Sequence, residues 1–149
     1  MVTWLHDRRR HSSPPTTDHK TFSDPTGAAQ VTLDHTSSSW EYVLRASGEF
    51  DLETVGCLQL ALHAVPQTPA GRTVIDVSGV TFGDSSFLHV LIGAHFQQNR
   101  LTIAGPLPTE LRRLFELTGT LRMFDIVPHY ALKQPDHRSS GVREPRGEA

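Results

Sequence analysis

Apolar and polar positions alternate with a period of two over 40–47. Trp40, Tyr42, Leu44 and Ala46 fall on one side, and Glu41, Val43, Arg45 and Ser47 on the other. That alternation predicts a half-buried strand in an antiparallel pair. A short strand over 30–33 precedes it, across a turn at 34–39. The period then changes. Leu52, Val55, Leu58 and Leu62 recur at helical spacing, which predicts a helix over 51–64 with Asp51 or Thr54 as its cap. Gly56 inside that helix costs about 1 kcal/mol against alanine. Pro66 to Gly71 breaks the chain, and a β-branched run over 73–77 predicts a buried strand. A helix joining two strands implies a crossover and parallel pairing. After a polar turn holding Gly79 and Gly83, the residues Phe87, Leu88, Leu91, Ile92 and His95 share a helical face.

The remainder continues the alternation of element types. A strand is expected over 101–104. Gly105, Pro106 and Pro108 stop it and start a helix that runs to Leu117, with Leu111, Leu114 and Phe115 inward. Gly119 closes that helix as a left-handed cap. A last short strand lies over 124–127. The fold class is α/β, a small mixed β-sheet with helices packed on it.

Composition narrows this picture. The chain has 149 residues, enough for one domain with tails. Segments 1–29 and 134–149 are rich in proline and polar residues and are expected to be disordered tails around a domain over 30–133. Arg8, Arg9 and Arg10 read as part of a solvated arm. A net charge of −2 makes no case for nucleic acid. The single cysteine, Cys57, allows no internal disulfide, and no apolar run reaches membrane-spanning length. A soluble, cytoplasmic monomer without a cofactor is expected.

The candidate chemistry gathers at Asp84-Ser85-Ser86, between the strand over 73–77 and the helix after it. Asp84 suits the N-cap, which puts both serines in the first helical turn. There the free N–H groups and the helix dipole favour a negative charge. A hydrolase elbow needs a second glycine two residues after its serine. Phe87 stands there for Ser85, so hydrolysis is disfavoured. No cysteine and histidine spacing of the zinc type occurs.

Three segments, in order, carry a resemblance. Phe82-Gly-Asp-Ser-Ser-Phe-Leu-His-Val-Leu resembles the serine loop of the STAS domain, the fold of bacterial anti-sigma factor antagonists. Ala46-Ser-Gly-Glu-Phe-Asp-Leu-Glu-Thr resembles the Gly-Glu-Leu-Asp corner of that family. Leu101-Thr-Ile-Ala-Gly-Pro, followed by Leu111-Arg-Arg-Leu-Phe-Glu-Leu-Thr-Gly, resembles its last long strand and helix. The resemblance covers roughly residues 30–132 and implies a non-enzymatic regulator acting in partner switching. Its expected partner is an anti-sigma factor with a serine-kinase fold, which brings the ATP, and a serine phosphatase resets the cycle. The resemblance implies phosphorylation at Ser86, with Ser85 as the lesser candidate. It implies a partner-binding face of Asp51, Asp84, Ser85, Ser86, Phe87, His89 and Val90. The family usually has glycine where this chain has Phe87. That ring either packs inward or stands in the interface as an anchor, and Phe87 is the feature that favours the alternative, a STAS scaffold or signalling module without a phospho-switch.

Overall fold

The computed structural model describes residues 16–36, 39–68, 70–98 and 100–130. Its six strands are β1 (Thr17–Ser23), β2 (Ala29–Thr36), β3 (Glu41–Phe50), β4 (Arg72–Gly83), β5 (Leu101–Ala104) and β6 (Asp125–Val127). Three helices are interleaved: α1 (Gly56–His63), α2 (Ser85–Gln97) and α3 (Thr109–Thr118). The strands lie side by side in chain order. The β1–β2 and β2–β3 pairs are antiparallel, and the β3–β4, β4–β5 and β5–β6 pairs are parallel. This is the expected mixed sheet, and each parallel pair is joined through a helix, as such pairing requires.

All three helices contribute to one core on one face of the sheet. Val31, Leu33, Leu44, Ala46, Ile75, Val77 and Ile103 from the strands meet Leu58, Ala61, Phe87, Leu91, Leu111 and Phe115 from the helices. The opposite face has a small apolar patch of Val43, Val74 and Ala104, with Val127 and Tyr130 against it. Val43 and Leu44 are therefore both buried, because β3 is an inner strand covered on both sides, where alternation alone had predicted one wet side. Beside that patch Arg45 bridges Asp34 at 3.1 Å and Asp76 at 3.2 Å, tying three adjacent strands together. Burial and a hydrogen bond to Glu41 at 2.7 Å push the Tyr130 phenol up to about 12.

Three expectations are corrected. The expected N-terminal tail over 1–29 contains β1, and the folded part begins before residue 30. All of β1 except the partly buried Phe22 is exposed, so it has no apolar period to read. It is held by its ladder with β2, and by His19 on Asp34 at 2.5 Å. Residues 1–15 of that tail, and 131–149 at the other end, lie outside the described residues. Secondly, β4 runs on through Gly79 to Gly83, where a turn was expected. Its second half is held by the end of β3, which pairs Gly48 with Val80 and Phe50 with Gly83. Thirdly, α1 begins at Gly56, and 51–55 is a tight turn ahead of it.

Candidate functional site

The site lies where β3 and β4 end together. Phe50 pairs with Gly83, and the Asp84 N–H donates to the Phe50 carbonyl at 3.3 Å. The corner after β3 and the serine loop after β4 are therefore neighbours by strand pairing, although 33 residues separate Asp51 from Asp84 in the sequence.

Asp51 and Thr54 build the first corner. The Asp51 carboxylate accepts from the Glu53 and Thr54 N–H groups at 2.9 and 3.0 Å. The Thr54 hydroxyl accepts from the Asp51 N–H at 3.0 Å and donates to the Glu49 carbonyl at 2.7 Å. These bonds close the turn on itself ahead of the helix. The helical period therefore does not reach back to Leu52, which stands 78% exposed rather than in the apolar stripe. Val55, Leu58 and Leu62 are buried as the stripe predicts.

Asp84 builds the second corner. As the N-cap of α2 its carboxylate accepts from the Ser86 N–H at 2.8 Å and from the Phe87 N–H at 3.4 Å. Ser85 is exposed and Ser86 half-buried, both in the first turn of the helix. Among the described residues neither serine hydroxyl has a hydrogen-bond partner. Substituting alanine for Asp84 removes two accepted bonds. It should cost about 1 kcal/mol, within the roughly 0.5–2 kcal/mol known for lost caps. Chemical denaturation with an unchanged m-value would verify this, and an unaltered midpoint would show that the cap contributes nothing.

Phe87 resolves inward. It is 0% exposed, its ring lies 5.0 Å from that of Phe50, and it sits over Gly83. A Cβ at position 83 would come within 2.7 Å of the Phe87 ring, so the absent side chain of one residue houses the ring of the other. Val90 also lies in the core. Of the seven residues expected to face a partner, Phe87 and Val90 are thus removed by burial. Asp51, Asp84, Ser85, Ser86 and His89 remain at least partly exposed. Sequence reasoning missed Leu52 and the 45% exposed Phe82, both apolar and both at this end. Periodicity had placed Leu52 in the core, and no signal in the sequence marks Phe82 as open.

Cys57 is buried, with its thiol donating to the Thr54 carbonyl at 3.3 Å. Burial pushes it up, away from thiolate reactivity. Among the described residues no group of three or more histidine, cysteine or acidic side chains is placed to hold a metal, and no helix is long and apolar enough to cross a membrane.

The structure defines an α/β domain with helices on one face of a mixed sheet and a capped pair of serines at the end of a parallel strand. A family model described as "Mlab, STAS domain" matches residues 33–127. The chain belongs to the STAS domain family. Nine chains of solved structures match it. Among them is the crystal structure of an anti-sigma factor antagonist from Mycobacterium paratuberculosis, 25% identical, with a TM-score of 0.59 over 82% of this chain and 99% of that one. No curated protein matches the chain.

Proposed function

We propose that this chain is an anti-sigma factor antagonist that holds an anti-sigma factor of the serine-kinase fold while Ser86 is unmodified, and lets it go once Ser86 is phosphorylated. The observation that carries the reading is the Ser86 hydroxyl, half-buried yet without a hydrogen-bond partner among the described residues, in the first turn of a helix capped by Asp84. A phosphoryl group there adds nearly two negative charges. The free domain tolerates them, because the helix dipole favours an anion at this end and water reaches the loop. A closed interface does not, because the new charge must be desolvated beside the Asp84 carboxylate. The same modification thus leaves the fold intact and opens the contact. The similarity to the mycobacterial antagonist supports the general role. The scaffold alternative drew on Phe87 as an obstacle on the loop, and the ring lies in the core beneath it.

The test is affinity capture from a lysate of the source organism with wild type and Ser86→Asp in parallel, with ADP or ATP. Wild type should retain a kinase-fold anti-sigma factor in ADP and release it in ATP, with phosphate mapped to Ser86 by mass spectrometry. The aspartate variant should hold none. Retention of the same proteins by both forms, indifferent to nucleotide, would make the chain a scaffold.

A further inference from the structure

We propose that Leu52 and Phe82 are the apolar anchors by which this end of the sheet grips its anti-sigma factor, and that they set which factor fits. This rests on the reading above that the serine loop faces such a partner.

Single exposed apolar side chains are common on protein surfaces, so it is the place of these two, at the joint that carries the serine loop, that gives them a role. Leu52 is 78% exposed, in a turn closed by the Asp51 and Thr54 side chains. Phe82 is 45% exposed on the last turn-facing stretch of β4, opposite Glu49. Strand pairing places Leu52 two residues beyond Phe50 and Phe82 next to Gly83, so the two bracket the joint from which Asp84, Ser85 and Ser86 emerge. Phe82 also forms one wall of a cleft of about 280 Å³ between the end of β4 and the start of α3, where Val80, Pro108 and Leu111 are the apolar lining and Thr81, Thr109 and Glu110 the polar. An apolar residue that protrudes beside a recess of mixed lining suits an anchor with polar contacts around it.

The charge of the corner and the serine loop is of one sign, while Arg112 and Arg113 stand exposed on α3 just past the cleft. Segments 48–56 and 81–90 carry Glu49, Asp51, Glu53 and Asp84, and no lysine or arginine. The matching face on the anti-sigma factor is therefore apolar at its centre with positive side chains around it. A phosphoryl group on Ser86 adds charge beside the Asp84 carboxylate inside a contact that the two anchors keep dry, where its desolvation is costly.

The test uses the purified full chain against the kinase-fold anti-sigma factor that wild type retains, by isothermal titration in ADP. Leu52→Ala and Phe82→Ala should each weaken binding about tenfold, the scale of an anchor residue. The melting curve of Leu52→Ala should stay at the wild-type midpoint, and that of Phe82→Ala, whose ring is partly covered, should fall only slightly with the protein fully folded at the titration temperature. Phe96→Ala and Leu117→Ala are the controls. Those residues are as exposed, at 74% and 79%, but lie toward the far ends of α2 and α3, and both variants should bind within twofold of wild type. Wild-type affinity in Leu52→Ala and Phe82→Ala, with Ser86→Asp still unable to bind, would overturn the anchors and leave the function standing. If wild type itself binds no kinase-fold factor, the functional reading fails and the anchors fail with it.

Discussion

Replacing Phe87 with alanine lowers the unfolding free energy by about 3–5 kcal/mol, the usual cost of emptying a buried phenylalanine site. The ring is fully buried against Phe50, and it belongs to the core that all three helices share. A loss of that size is a large share of the roughly 5–15 kcal/mol that a domain has. Gly83→Ala should cost less by itself, about 1–3 kcal/mol, because its new methyl group is forced against the same ring. The decisive measurement is the double variant. With the ring gone, the methyl at 83 enters the space it occupied, so the two losses should fall short of additivity by about 0.5–3 kcal/mol. Urea denaturation of the four proteins closes the cycle. Simple additivity would mean that Gly83 and Phe87 are not a packed pair. The pair matters to function because it sets the floor of the serine loop.

The second large effect is at Gly48, in the corner that precedes Asp51. Its φ is +99°, a region that favours glycine, and a Cβ there would lie 2.1 Å from the Ala28 carbonyl oxygen. Backbone is the obstacle, so no rotamer change relieves it. The Glu49 N–H meanwhile donates to that same Ala28 carbonyl at 2.9 Å, which holds the two strands at this separation. Gly48→Ala therefore combines dihedral strain with a forced strand separation, together on the order of 3 kcal/mol or more. For a domain of this size the melting temperature should fall by roughly 10 °C. Differential scanning calorimetry reads this directly. A melting temperature within a degree or two of wild type would show that β2 and β3 can part there at little cost. The glycine that opens the Gly-Glu-Phe-Asp corner is thus required by close backbone approach.

Local patterns carried much of the fold. The strand at Leu101–Ala104 falls where its apolar run predicts, and Gly119 closes α3 in the left-handed conformation at φ 75°. Asp84 caps α2 because a carboxylate before a helical period has few better places to put its oxygens. These are short-range effects, decided within one or two turns of chain. The resemblance carried by three ordered segments agreed with them and with the family match over 33–127.

What the chain could not decide by itself is what depends on pairing between distant segments. β1 has no apolar period, and only the β2 ladder makes it a strand. β4 extends to Gly83 because the end of β3 is there to receive its hydrogen bonds. Spacing put Phe87 on the apolar face of its helix, but its place where the family usually has glycine left an interface role open. Gly83 and Phe50, one on a neighbouring strand, left it a place inside. Leu52 went the other way, since Asp51 and Thr54 closed a turn before the helix could carry it to the core. By itself the sequence determined the types of the elements after β1, the cap and the two serines, because hydrogen bonding and periodicity act locally. The tertiary structure alone decided which apolar side chains surround those serines, because burial is settled by what packs opposite.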